Sequence, residues 1–253
     1  MSGTLYLVPN TLDFGVGTES HPALSEDLPL GVIRTSARLA HWVAESAKTT
    51  RAFLKRVDAV VPLTLPLQAV QIVELPRPQK GSRQPVPAAD LDALLAPAAQ
   101  GFDIGLISEA GLPAVADPGA ALVDAAHRRG VKVVALSGPS SLMLALAASG
   151  LNGQSFAFVG YLPVDAAERG ARIRELETLS RRHQQTQLVI ETPYRNEALL
   201  DALLAALAPG TRLSVSCGLT LPSGWTRTDT VARWKTSTAA IPKDVPAVFS
   251  LLA

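Results

Sequence analysis

The chain has 253 residues, 47% hydrophobic and 18% charged, with 23 Lys and Arg against 22 Asp and Glu for a formal charge of +1. That length supports one large domain or two of ordinary size, and the composition excludes a disordered chain. A charge this close to zero excludes a global pull toward nucleic acid or membrane, so any polyanion is held by a local patch, and a single cysteine, Cys217, excludes an internal disulfide and a thiolate metal cluster.

In chain order, residues 4–8 read as a strand closed by Pro9 and Asn10. No basic, apolar leader pattern precedes them, and the longest apolar helical run, residues 142–148, is far too short for a membrane span, so a cytoplasmic protein is expected. Residues 31–35 read as a second strand, with Ser36 placed to cap a helix running to about Lys48. Residues 50–57 continue as helix and cluster Arg51, Lys55 and Arg56 on one side. Residues 63–75 are extended and interrupted by proline, the mark of irregular chain or an edge strand. Residues 77–87 (RPQKGSRQPVP) form a basic loop, and residues 88–100 return to helix.

The most informative stretch follows. Residues 103–107 form a strand, 108–118 a turn rich in Gly and Pro, and 119–129 a helix; 131–136, 137–139 and 140–149 repeat that order. Asp117 before Pro118 is placed to cap the first helix, and Gly130 to end it. The SGPSS turn puts small residues and backbone N–H groups at the start of the second helix, which suits an adenosine or a carboxylate. Successive strand–loop–helix units build an α/β sheet that binds ligands beyond the carboxyl ends of its strands.

After Gly150 the elements are a strand at 155–161, a charged helix at 165–183, a strand at 186–190 and a turn at 191–195. An apolar helix at 197–207, stopped by Pro209 and Gly210, precedes strands at 211–217 and 247–252, which flank a segment rich in Thr, Ser and Trp. The expected division is 1–150 and 151–253, with the boundary near 150–156 and the connector hinging over 150–163.

The stretch from Leu106 to Leu146 closely resembles the signature of the tetrapyrrole-methylase superfamily, the class III S-adenosylmethionine methyltransferases. SEAGLPAVADPG and ALSGPSSLMLALAASGL look most like the branch that methylates the ribose 2′-hydroxyl of a 16S rRNA cytidine. TLYLVPN, VAESAKTTRAFL, AFVGYLP and VIETPYR extend the resemblance over most of the chain. It implies two α/β domains with the cofactor cleft between them, S-adenosylmethionine as cofactor, a small ribosomal subunit as partner and a homodimer. Carried over by position, the implied cofactor contacts are Pro9 and Asn10; Glu109, Ala110, Gly111 and Leu112; Gly138, Pro139, Ser140 and Ser141; and Thr192, Pro193 and Tyr194.

Departures fall on the substrate side. Glu109 stands where the family has Asp, and Ser46, Ala47 and Lys48 replace the Asp, Thr and Arg of its helix motif while Glu45 and Arg51 remain. The first loop runs on as TLDFGVGTESHP, and CGLTLPSGW replaces an Arg-Glu-Leu-Thr-Lys run. Three readings therefore stay open beside rRNA methylation. A tetrapyrrole methyltransferase is one, a cofactor-binding member without transferase activity another. A dinucleotide enzyme is the third, against which stands the lack of a GxGxxG turn.

Single residues carry weaker signals. Glu45 is a nominee for the base that takes the acceptor's proton, against a plainer helical i,i+3 pair with Lys48. Arg51 and Lys55 are candidates for RNA phosphate, in a basic surface that Arg56, Arg77, Lys80 and Arg83 would extend. Arg169, Arg172, Arg174, Arg181 and Arg182 are an alternative grip, set against a solvated helix interleaved with Glu168, Glu175 and Glu177. His21, His41, His127 and His183 have no metal-ligand spacing, so no metal is expected. Trp225 and Trp234 would either stack a base or pack a core.

Overall fold

The computed structural model describes residues 2–12, 23–76, 87–237 and 240–253, which form two compact units, Met1–Ser140 and Ser141–Ala253. The first unit carries β1 (Thr4–Val8), α1 (Leu24–Asp27), α2 (Leu30–Arg38), β2 (His41–Ala44), α3 (Ala47–Asp58), β3 (Gln71–Glu74), α4 (Ala88–Leu94), α5 (Ala96–Ala99), β4 (Ile104–Ile107), α6 (Ala120–Arg128) and β5 (Lys132–Ala135). Its sheet is wholly parallel in the order β3-β2-β4-β1-β5, with β3 on an edge, as its flanking prolines require.

A parallel sheet needs cover on both faces. Ile33, Leu54, Val57 and Ile107 pack on one side, and Leu91, Leu106, Leu122 and Ala125 on the other. The central strand β4 is buried throughout, and its Gly105 lies opposite Trp42 of β2. A Cβ at Gly105 would come within 2.7 Å of the indole, so the glycine is what lets the Trp42 ring lie against the sheet.

Three local expectations are corrected. Residues 31–35 are helical, inside α2, because Val32, Ile33, Ser36 and Ala37 bury one helical face, a period that outweighs their β-branched content. Ser36 is therefore no cap; its hydroxyl donates to Val32 O one turn back. The expected helix from Ser36 to Lys48 is broken by β2, whose four-residue apolar run is too short for periodicity to separate from helix. Asp117 does not cap α6 either: Gly119, at φ 133°, occupies that position without a side-chain bond.

The second unit carries α7 (Ser141–Ser149), β6 (Phe156–Tyr161), α8 (Ala166–His183), β7 (Thr186–Ile190), α9 (Asn196–Ala206), β8 (Arg212–Cys217), β9 (Trp225–Thr230), α10 (Val231–Trp234) and β10 (Ala247–Leu252). The sheet order is β6-β7-β10-β8-β9, parallel between β6 and β7 and antiparallel elsewhere. Ile173, Leu176, Leu199, Leu203 and Phe249 form the main core beneath α8 and α9. On α7, Leu142, Ala145 and Leu146 pack with Leu188 and Val248 of this sheet, which is why α7 belongs with the second unit and the division falls before it, not at Gly150.

Strand β9 and helix α10 lie in the segment that the sequence left unassigned. Strand β9 is held by hydroxyls, Thr226 Oγ1 to Ser216 Oγ at 2.9 Å and Thr228 Oγ1 to Ser214 Oγ at 2.8 Å, so it carries little hydrophobic alternation to read. Trp234 is core, 1% exposed, its Nε1–H donating to Leu213 O at 2.8 Å, and Arg227 stacks on its ring at 4.0 Å. Glu177 is buried rather than solvated: its carboxylate accepts from Ala208 N and Thr211 Oγ1 and anchors the turn after α9 to α8.

Candidate functional site

Because β1, β2, β4 and β5 run parallel, the loops at their carboxyl ends emerge on one edge of the first sheet. The loops after β1, β4 and β5 touch one another. Asn10 N–H donates to Gly111 O at 2.9 Å, and Asn10 Nδ2 donates to Ser108 O at 3.2 Å and Glu109 O at 2.9 Å. The Asn10 Oδ1 accepts from Thr11 N–H at 2.9 Å, so this side chain is a strut for the acidic loop. On the other flank, a Cβ at Gly138 would come within 2.2 Å of Pro9 Cβ; glycine is the residue that lets the β5 loop close on the β1 loop.

The acidic loop itself is tightly wound. Gly111, Ala114, Ala116 and Gly119 all have positive φ within nine residues. For the two alanines that conformation costs about 1–2 kcal/mol each, sustained by the surrounding bonds. Glu45 follows β2, off any helix, and does not pair with Lys48 as the helical reading required; its Oε2 accepts the Glu109 N–H at 3.1 Å. Ser46, at the eroded motif position, caps α3 by accepting from Thr49 N–H at 3.4 Å, the job an Asp would do there.

One group was missed in sequence. Freed from capping, the half-buried Asp117 has its carboxyl pushed up to about 6 by burial, then by the negative charges of Glu45 and Glu109. A carboxyl titrating there is suited to proton transfer near neutrality. The available signal was the acid after each of β2 and β4 together with a third later in the same loop.

In the second unit the loop after β7 carries Thr192, Pro193 and Tyr194. Glu191 organises it, its Oε1 accepting from Thr192 N–H at 2.8 Å and its Oε2 pairing with Arg195 at 3.0 Å. Tyr194 is 70% exposed. Arg51 and Lys55 lie on the exposed side of α3, where Arg51 Nη1 donates to Ala47 O at 3.3 Å. Arg77, Lys80, Arg83, His21 and most of the first loop lie outside the described residues.

Two buried polar atoms beside these loops have no partner: Ser108 Oγ, just before Glu109, and Asn196 Oδ1, just after the Thr192–Arg195 turn. In the first unit, the unmet Ser108 Oγ beside the acidic loop and the backbone amides of the SGPSS turn fit a ligand that carries amino, carboxylate and hydroxyl groups, as S-adenosylmethionine does. Among the described residues no group of His, Cys, Asp or Glu is spaced to hold a metal ion.

The sequence model of the family described as Tetrapyrrole (Corrin/Porphyrin) Methylases matches residues 37–232. The Ribosomal RNA small subunit methyltransferase I of Halalkalibacterium halodurans is 30% identical over 205 residues, 81% of this chain and 61% of that one. The protein of the same description from Vibrio cholerae is 42% identical over 104 residues, 41% of this chain and 35% of that one. This chain therefore spans about three-fifths, or less, of the length of such relatives. Among solved structures, a uroporphyrin-III-C-methyltransferase from Thermus thermophilus aligns with TM-score 0.52 at 20% identity, covering 99% of this chain and 94% of that one. The methyltransferase CobJ aligns with TM-score 0.54 at 15% identity and the same coverage. Both share the two-domain α/β fold.

Proposed function

The chain belongs to the tetrapyrrole (corrin/porphyrin) methylase family, and from that premise we propose that it transfers a methyl group from S-adenosylmethionine to a ribose 2′-hydroxyl of small-subunit rRNA. The observation that carries the proposal is the mutual contact of the β1, β4 and β5 loops on the carboxyl edge of a parallel sheet. The rRNA acceptor is taken from the named activity of the relatives. A cytoplasmic homodimer belongs to the same proposal; among the described residues no helix is long and apolar enough to cross a membrane.

In this account the cofactor contacts are Pro9, Asn10, Glu109 to Leu112 and Gly138 to Ser141, together with Thr192, Pro193 and Tyr194 of the second unit. When bound, S-adenosylmethionine supplies a methyl group on a sulfonium, whose leaving group is already excellent, so the work of the chain is alignment. Asn10 fixes the carbonyls of Ser108 and Glu109, and Gly138 holds the SGPSS turn against Pro9. The amides at Ser140 and Ser141, at the start of the nine-residue α7, suit a carboxylate. With Glu45 engaged by the Glu109 amide, Asp117 is the carboxylate proposed to accept the hydroxyl proton. Arg51 and Lys55 supply local positive charge for phosphate that the net charge of +1 does not.

The test is labelled methyl transfer to small ribosomal subunits lacking the modification, at low and high salt, with uroporphyrinogen as a competing acceptor. Transfer to RNA that falls steeply with salt, and drops when Arg51 and Lys55 are changed to Ala, is expected. Transfer to the tetrapyrrole alone would overturn the acceptor.

A further inference from the structure

The charged helix α8 packs beside α9, and the two border an open groove of about 440 Å³ within the second unit. Gly170, Ala202 and Ala205 form part of its wall, so nothing bulky fills it, and Arg169, Arg174 and Asp201 project charge into it. The volume lies in the range of small-ligand sites, roughly 300–1,000 Å³.

The charges in this groove are not spent on each other. Arg172, outside the groove lining, pairs with Glu175 at 2.6 Å in the manner of a solvated helix. Arg174 and Asp201, by contrast, make no ion pair among the described residues although both line the groove. Arg169 is held in place by its Nη1–H donating to Val164 O at 3.0 Å, while its Nε is buried and has no acceptor. Arg174 Nη1 lies where a Cβ at Gly170 would be 3.6 Å away, so the guanidinium lies over the glycine. Two guanidinium groups and one carboxylate that make no ion pair among the described residues match one nucleotide. A guanidinium pair grips a phosphodiester, and a carboxylate accepts the hydrogen bond of a ribose hydroxyl.

We propose that the α8/α9 groove binds one nucleotide of single-stranded RNA, its phosphate on Arg169 and Arg174 and its 2′-hydroxyl donating to Asp201. The assignment rests on RNA as the methyl acceptor and gives the second unit a place in holding it. The phosphate contacts supply sequence-independent, salt-dependent affinity, and the Asp201 contact separates RNA from DNA.

The experiment is fluorescence anisotropy of a labelled single-stranded RNA of about ten nucleotides, a length suited to grooves of this kind. The full chain is titrated at several salt concentrations, beside DNA of the same sequence and with inorganic phosphate as competitor. Arg169→Ala and Arg174→Glu should each weaken RNA about tenfold and flatten the log–log salt slope by about 1. Arg174 is exposed, so its reversal leaves the fold intact even if loss of the Arg169 bond to Val164 does not. Asp201→Ala should lower the preference for RNA over DNA. Wild-type affinity and slope in Arg174→Glu would overturn the site. A gain for RNA and DNA alike in Asp201→Ala would overturn the ribose contact, and displacement of RNA by millimolar phosphate would reduce the groove to an ion site. Transfer to ribosomal subunits with silent groove variants sinks the groove alone; groove binding without transfer to any ribosomal fraction sinks the acceptor alone.

Discussion

Glu45 and Glu109, 64 residues apart, are joined by a 3.1 Å hydrogen bond in which the Glu45 carboxylate accepts the Glu109 amide. The bond ties the loop after β2 to the loop after β4. Glu45→Gln keeps an acceptor there, and Glu45→Ala does not. Calorimetric titration with S-adenosylhomocysteine should therefore show near-normal affinity for the first and about a tenfold loss for the second, the cost of one hydrogen bond to a charged group. Equal loss in both would mean that the charge of Glu45, rather than its bond, serves the site.

The Asp117 carboxyl has an unusual pH signature. Its folded pKa, about 6, lies above the ordinary 3.8, because burial and the charges of Glu45 and Glu109 favour the protonated form. A raised carboxylate pKa makes the fold hold a proton that the unfolded chain has lost. Stability from this group is thus greatest below pH 4 and falls as pH rises through 6. Asp117→Asn should stabilise the chain at pH 8 more than at pH 4.5, by about 1 kcal/mol after discounting for solvent screening of a half-exposed group. Urea unfolding at the two pH values measures it. The same variant should lose the rise in methyl transfer with a midpoint near pH 6 that the proton-acceptor role requires.

The turn before α7 is tested by bulk. Ser140→Tyr should abolish binding of S-adenosylmethionine without unfolding the chain, and NAD should not bind the wild type. Gly138→Ala puts a Cβ 2.2 Å from Pro9, so it should cost about 1–3 kcal/mol of stability and weaken the cofactor together. Binding that survives Ser140→Tyr would move the site elsewhere.

Glu177 offers a structural control away from these loops. Removing its buried carboxylate strands the Ala208 amide and the Thr211 hydroxyl, at a cost of about 1–3 kcal/mol. Glu177→Ala should lower the unfolding midpoint in urea and leave cofactor affinity unchanged.

Much of the architecture was legible where strand, glycine turn and helix followed one another. β4, α6, β5 and α7 lie within one or two residues of their expected bounds because Gly130 and the SGPSS turn punctuate them. The failures share a cause. In residues 31–48 apolar runs of four or five are compatible with either period, and burial against α3 and the neighbouring strands decided them. Asp117 was misread because Asp before Pro is a good cap signature, whereas the positive φ at Ala114, Ala116 and Gly119 winds the loop past it. The charge coupling of Glu45, Glu109 and Asp117 depends on the loops after β2 and β4 meeting, which one-dimensional spacing does not encode. The groove arginines were visible as a charged helix, but their lack of ion pairs among the described residues was not.

The chemical position of the transferred methyl group decides the acceptor. Small subunits lacking the modification are incubated with the chain and labelled S-adenosylmethionine, and the recovered 16S rRNA is hydrolysed in alkali. A methyl group on the 2′-oxygen removes the nucleophile that cleaves the adjacent phosphodiester, so the label is expected in an alkali-resistant dinucleotide. Label on a base, released with single nucleotides, or no label in rRNA while the chain binds cofactor to saturation, would contradict it.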